Sequence, residues 1–319
     1  MRAAVIGVGN IGTLHAKILS DSGLLCGVCD IDEKRLSAYK DLPCYTDYKA
    51  MIDELRPDAV HICTPHYLHA EMVVYALDRG VNVLCEKPLC ISYEQLDLVL
   101  ETEKRSSARL GVCLQNRYNR ENVFAKKYLS GKNIVSASAQ VAWHRTAEYY
   151  ATGEWRGKKA TEGGGVLINQ ALHTLDLLQY LCGMPEKIAA SVSDLTLKEC
   201  IEVEDTAVIV SRAGAPVTFF ATNGAAADMP VEITVVTDRD TVKIMPGAVY
   251  VNGVPQDIGE ERYKPLGKAC YGSGHGALIA DYYGRLESGE PFPINGEAGS
   301  GSVRLILAAY KSGGETVNV

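Results

Sequence analysis

The stretch Ala3-Ala-Val-Ile-Gly7-Val-Gly9-Asn-Ile-Gly12-Thr-Leu-His-Ala16 decides the fold. Four apolar residues read as a buried strand, a G-x-G-x-x-G run follows, and helical periodicity then carries over 11–22. Each glycine has its own reason. Gly7 permits the tight turn, Gly9 lets a ligand approach the backbone, and Gly12 lets helix pack closely on strand. A helix start in that place offers amide donors and the positive end of its dipole to phosphate. Asp30, eighteen residues beyond Gly12, ends the next apolar run. A carboxylate there accepts from ribose hydroxyls and repels a 2′-phosphate. The pattern predicts a site for NAD rather than NADP, with Gly7, Gly9, Asn10, Ile11, Gly12 and Asp30 among its contacts.

Outward from this motif, apolar runs at 24–29, 44–45, 59–63, 81–85 and 110–114 alternate with helical periods at 33–40, 48–55, 68–79 and 93–106. Such alternation predicts an α/β domain over 1–118, a doubly wound Rossmann sheet of six parallel strands with its ligand crevice at their carboxyl ends. Past 119 the pattern changes to a helix over 166–182, then strand-like runs at 189–192, 207–210, 217–221, 231–236, 241–244 and 249–251. Turn signals such as Pro246-Gly247 and Asn252-Gly253 separate them, and helices at 277–286 and 297–311 close the chain. The expectation is a second α+β domain, 119–319, with an open and largely antiparallel sheet. An apolar face left open predicts a homodimer or homotetramer.

Charge and composition narrow the function. The 319 residues carry a net charge of -7, and no basic run exceeds pairs such as Lys126-Lys127, which argues against a nucleic-acid partner. No apolar run reaches the roughly 18 residues of a membrane span. Strand-like sequence begins at Arg2, so no leader is expected and a cytoplasmic protein is. The ten cysteines are scattered, and Cys26 and Cys29, three apart on a strand, face opposite ways. Thiols in a reducing compartment are expected, with no metal.

The crevice has further candidates. Cys63, Thr64, Pro65, His66 and His69 leave the fourth strand; the i, i+3 histidines could suit a metal, but lining the cofactor groove is the expected role. The sequence Leu84-Cys-Glu86-Lys87-Pro88 ends the fifth strand with adjacent charges. A lysine among apolar strands is desolvated and can donate to a substrate hydroxyl, while Glu86 can anchor a neighbour or the cofactor. Gln115, Asn116 and Arg117 leave the sixth strand, the first two toward cofactor and Arg117 toward substrate. The aromatic and basic loop 148–157 offers Tyr149, Trp155 and Arg156 to a sugar ring, and 270–276 adds Tyr271 and His275.

Taken together, "AAVIGVGNIGTLHA", Asp30, "CTPHYLHAEMVVYALDRGVNVLCEKPL", "GGGVLINQALHTLDLL" and the closing "NGEAGSGSVRLILAAYKSGGETV" resemble the Gfo/Idh/MocA family of sugar oxidoreductases nearly end to end. The resemblance implies a Rossmann domain followed by an α/β domain whose open sheet serves oligomerisation, and it implies that Lys87 contacts the reacting hydroxyl. It also implies a second catalytic element, a D-x-x-x-H helix, which reads here Asn169-Gln-Ala-Leu-His173 with Asp176 one turn on. At about 100° per residue these three polar groups share one arc, opposite Ala171, Leu172, Leu175, Leu178 and Cys182. His173 suits proton exchange, Asp176 could orient its ring, and Asn169, where the family has aspartate, is confined to hydrogen bonding with substrate. The expected reaction is hydride transfer between NAD(H) and a secondary hydroxyl of a sugar, cyclitol, glycoside or nucleotide sugar. Two alternatives stay open: an NAD-dependent enzyme that cleaves glycosides through a transient 3-keto sugar, and a non-catalytic NAD or sugar sensor, against which Lys87, His173 and Asp176 speak.

Overall fold

The computed structural model describes residues 1–213, 215–263, 265 and 272–319. By its own contacts the chain divides into two units, one of Met1–Leu114 together with His275–Ser300, the other mainly of Gln115 onward together with Gly301–Val319. The return of 275–300 to the first unit departs from the simple split near 118 read from the sequence.

In the first unit, β1 (Ala3–Ile6), β2 (Leu25–Cys29), β3 (Cys44–Tyr45), β4 (Ala59–Ile62), β5 (Asn82–Glu86) and β6 (Leu110–Cys113) form one parallel sheet. Its order is β3-β2-β1-β4-β5-β6, so the direction of winding reverses between β1 and β4. Helices cover both faces of such a sheet, which is why β1, β4 and β6 are buried at every position rather than alternately. The turn between β1 and the helix Asn10–Asp21 is closed by its glycines. Gly7 takes φ +85, and a Cβ on Gly12 would lie 1.7 Å from the Gly7 carbonyl oxygen.

The second unit is built on nine strands: β7 (Ile134–Ala142), β8 (Lys187–Ser193), β9 (Thr206–Ala213), β10 (Ala215–Thr222), β11 (Glu232–Thr237), β12 (Thr241–Met245), β13 (Ala248–Val251), β14 (Val254–Pro255) and β15 (Thr316–Asn318). They run β14-β13-β12-β11-β7-β10-β9-β8-β15, antiparallel except for the parallel pair β7 and β10. One face is buried beneath the helix Leu172–Cys182, whose Leu175 and Leu178 meet Ile209, Val217 and Phe219. The other face shows apolar side chains to solvent. Val208, Val210 and Phe220 are 44%, 49% and 37% exposed, and Val208 pairs directly with Phe220.

Three elements depart from expectation. The central strand β7 was not anticipated, because "IVSASAQVA" alternates correctly but uses small residues of weak strand preference. Preceding it, the helix Arg120–Leu129 was also not anticipated. The single helix expected over 166–182 is two, Val166–Asn169 and Leu172–Cys182. Between them the Ala171 amide reaches back five residues to the Val166 carbonyl, a widened turn that lets the buried Gln170 side chain face Asn223 and Tyr149.

Leu84 is wholly buried on β5 between β4 and β6. Leu84→Ala is expected to lower unfolding free energy by about 2–5 kcal/mol. Denaturant titration reads this directly, and an unchanged midpoint would contradict the packing described.

Candidate functional site

The candidate nucleotide-binding residues lie within the first unit. Asp30 closes β2 at 7% exposure; its Oδ2 accepts from the Val8 amide (2.9 Å) and its Oδ1 from the Asp32 amide (2.9 Å). These two bonds fix the carboxylate beside the glycine turn while each oxygen keeps a further lone pair for a ribose hydroxyl. Arg35 approaches Asp30 Oδ2 at 3.6 Å and is the one group within 4 Å of a Cβ built on Gly9. The cradle therefore fits a dinucleotide: a glycine turn approached by the half-exposed Arg35 side chain, a helix start, and a carboxylate placed for the ribose. Asp32 caps the short helix Glu33–Leu36 through the Lys34 amide.

Glu86 explains how the fifth strand can end in charge. Its Oε1 accepts from His15 Nε2 at 3.0 Å, and its Oε2 takes the Lys87 amide at 3.2 Å. His15 Nδ1 faces His61 Nδ1 at 2.8 Å, and His61 Nε2 faces the Tyr283 hydroxyl at 2.9 Å. One assignment satisfies the whole chain with neutral rings: Tyr283 donates to His61, His61 to His15, and His15 to Glu86. Burial opposes ionisation of Glu86, yet the hydrogen bond from His15 and the His275 ring 3.6 Å away hold its carboxyl well below the ordinary range. Burial likewise pushes His61 well down. The donor atoms of His15, Glu86, Cys113 and His275 lie within 4.8 Å of one another, but the wire just described already accounts for His15 and Glu86 as a hydrogen-bonded core. Lys87 follows at the carboxyl end of β5, joined to Pro88 by a cis peptide bond.

The second unit carries a polar shelf of its own. Glu204 accepts from the amides of Gly165 (2.8 Å) and Leu167 (3.0 Å), which anchors the start of the helix Val166–Asn169. A Cβ on Gly165 would lie 1.8 Å from the Glu204 carbonyl oxygen, so only glycine admits this approach. From this anchor Asn169 and His173 reach half-exposed positions, and His173 Nε2 lies 3.3 Å from Gln115 Nε2. Arg156 hydrogen-bonds the Tyr149 hydroxyl at 2.7 Å and stacks near the rings of Tyr149 and Trp155. Gln170 bonds the same hydroxyl, and Asn223 ties Gln170 to Tyr150.

Several expected ligand contacts are occupied by the protein itself. Asp176 does not orient His173: it is 1% exposed, and its carboxylate takes the Arg117 guanidinium through two bonds (2.7 and 2.6 Å) and the Gln179 amide. Arg117 is likewise committed to that pair and to the Tyr180 ring rather than to substrate. His275 is 3% exposed and packs on His15 beside Glu86, so it belongs to the core of the first unit and not to a substrate pocket. His69 is a tie between loops, its ring nitrogens on the carbonyls of Pro88 and Thr64. Glu86 holds the strand end instead of facing cofactor. Gln115 is buried at 2% exposure, and His66 at 5%. Tyr271 lies outside the described residues. Sequence reasoning missed Glu162, wholly buried one residue before the glycine run; its carboxylate binds the Gly157 amide and the Asn169 side-chain amide. A carboxylate beside three glycines, where backbone amides crowd together, was the available signal.

Asp30→Ala should weaken NAD+ binding by roughly 10–100-fold, the scale of a lost bond to a charged group. It should also narrow the preference over NADP+. Titration of both cofactors by tryptophan fluorescence or calorimetry checks this, and equal affinity for NAD+ in variant and parent would remove Asp30 from the site.

Comparison with known proteins gives this geometry a setting. Residues 1–114 match the model of an oxidoreductase family with an NAD-binding Rossmann fold, and residues 133–243 match the GFO/IDH/MocA C-terminal domain. The myo-inositol 2-dehydrogenase of Thermotoga maritima is 26% identical over 98% of this chain and 96% of its own length. The D-glucoside 3-dehydrogenase of Escherichia coli is 27% identical over 58% of this chain and 55% of its own. Among solved structures, the WlbA dehydrogenase of Bordetella pertussis in complex with NADH and UDP-GlcNAcA superposes with a TM-score of 0.87 at 26% identity, covering 100% of this chain and 98% of that one. With a glycine-turn cradle fitted to NAD and a Lys87 at the end of the fifth strand, the chain belongs to the Gfo/Idh/MocA family of NAD-dependent oxidoreductases.

Proposed function

We propose that this enzyme oxidises a secondary hydroxyl of a sugar, cyclitol or nucleotide sugar, with Lys87 and His173 as its catalytic residues. The observation that carries the reading is the placement of Lys87 directly after the buried, hydrogen-bonded Glu86 at the carboxyl end of the Rossmann sheet. That end of a doubly wound sheet is where ligands bind. Bound NAD+ supplies the hydride acceptor. Lys87 donates a hydrogen bond to the hydroxyl oxygen and favours its developing negative charge. His173, half-exposed on its helix, takes the hydroxyl proton while the carbinol hydrogen leaves as hydride, and a ketone results. The rings of Tyr149 and Trp155, braced by Arg156, offer apolar faces to a sugar ring, and Asn169 offers it a hydrogen bond. The similarity to inositol and glucoside dehydrogenases, and to a dehydrogenase seen with a nucleotide sugar, supports this substrate class.

The same reading extends to assembly and place. The outer face of the nine-stranded sheet, with Val208, Val210 and Phe220 exposed, is suited to a second copy of the chain. A cytoplasmic location is consistent with the absence of disulfides among the described cysteines. Among the described residues no helix is long and apolar enough to cross a membrane.

Two measurements test these readings. NADH absorbance followed against a panel of inositols, hexosides and nucleotide sugars should show turnover, and Lys87→Ala and His173→Ala should each lower kcat by about 10²–10⁴-fold. Turnover unmoved by both variants would overturn the assignment. Phe220→Glu combined with Val208→Glu should shift the mass seen by light scattering toward a single chain; an unchanged mass would place the interface elsewhere.

A further inference from the structure

Asn169 ends the short helix Val166–Asn169, and the structure shows which buried group its side chain faces. Glu162 lies wholly buried between the loop that ends at Gly157 and the helix Val166–Asn169. One carboxylate oxygen accepts from the Gly157 amide and the other from the side-chain nitrogen of Asn169. A carboxylate can only accept, so it fixes which end of the Asn169 amide faces inward: the NH2 group turns to Glu162, and the amide oxygen takes the opposite branch.

We infer that Glu162 is a positioning residue that sets the polarity of Asn169, so that the enzyme presents an acceptor to a donating hydroxyl of its substrate. The inference rests on the substrate-binding role proposed above for Asn169 and deepens it by naming the chemistry of that contact. Asn169 then offers one carbonyl oxygen in place of one oxygen of an aspartate, and the negative charge sits one residue deeper, on Glu162.

This arrangement makes the contact dependent on pH. Burial pushes the Glu162 carboxyl up, while the Gly157 amide, the Asn169 amide and the Arg156 charge oppose it, leaving it at about 7. Part of that rise comes from the like charge of Glu204, which lies just ahead of β9, and the hydroxyls of Tyr150 and Tyr310 also face it. Above that value Glu162 is a carboxylate and holds the NH2 inward. Below it, the carboxylic acid keeps accepting from Gly157 with one oxygen and can donate through the other. The Asn169 amide then turns, its oxygen goes inward, and its NH2 meets the substrate.

Swapping the two groups tests this. Glu162→Gln places an NH2 opposite Asn169 and should invert the amide, lowering kcat/KM by roughly tenfold or more, mostly through KM. It should also abolish any acid limb of the profile near pH 7. Asn169→Asp alone sets two carboxylates against each other, so its activity should fall as pH rises through neutrality, opposite to the parent. The double variant Glu162→Gln/Asn169→Asp restores one donor and one acceptor across the contact and should recover most of the lost kcat/KM. Failure of the double variant to exceed both single variants, with all three folded by circular dichroism, would overturn the proposal. A readout independent of substrate separates this failure from failure of the sugar reading. Carboxyl ¹³C resonances of glutamate-labelled parent protein, with Glu162 assigned by its loss in Glu162→Gln, should titrate near pH 7. A midpoint in the ordinary glutamate range would sink the inference even where sugars are turned over.

Discussion

A carboxylate cut off from water must find its donors inside the protein, and the Rossmann unit is assembled around one such group. Glu86 is buried at the end of β5, and its oxygens are met by His15 from the glycine-turn helix and by the Lys87 amide. An isolated buried charge costs several kcal/mol. Here the cost is offset only while β1, its helix, β4, β5 and the helix Gly274–Ser288, which carries Tyr283, stand in register. Lys87 is thereby held by a network that ties β4 and β5 to two helices. This answers why a strand among apolar neighbours closes with Glu-Lys-Pro. The glutamate belongs to the interior, and the lysine is what it holds in place.

The second unit repeats the principle with other residues. Glu204 receives two amides at the start of the helix Val166–Asn169, and Tyr310 donates to it as well. Asp205 beside it gathers the amides of Leu195, Thr196 and Leu197 and the hydroxyls of Thr196 and Thr206. Burial acts against the ionisation of both; it wins at Glu204 and raises its pKa, whereas the backbone and hydroxyl donors around Asp205 win and lower its pKa. Adjacent carboxylates thus respond in opposite directions, and what differs is how many donors each gathers.

Much of this architecture was legible in the sequence, because it rests on local rules. The glycine turn, the strand alternation and the acidic residue that ends β2 each follow from backbone sterics or from a period of apolar residues, and the parallel sheet follows from them. What escaped notice depends on contacts between residues far apart in the chain. β7 is a strand because β10 and β11 flank it, not because serine and alanine favour extension. The break at Gln170 exists because Asn223 and Tyr149 satisfy a buried amide. Asp176 sits on the same arc as His173 by helical geometry, yet Arg117, fifty-nine residues away, claims it. Periodicity locates a face of a helix but does not tell which partner waits opposite.

The histidines show how burial sorts residues of one type into different duties. His61, His69 and His275 are each driven below the ordinary imidazole range, and in each case burial is the largest cause. A ring kept neutral in that way can pass or accept a hydrogen bond but is a poor place to leave a proton. His15 is confined between His61 and Glu86, and His144 is exposed with its Nδ1 on the Ala225 carbonyl. His173 alone combines partial exposure with a helix whose opposite side is anchored in the core by Leu172, Leu175 and Leu178. A group that must take up a proton in one half of a cycle and release it in the other needs a path to water and a fixed position. Of the histidines considered, His173 combines partial exposure with a fixed position, on the helix that follows the short one anchored by Glu204.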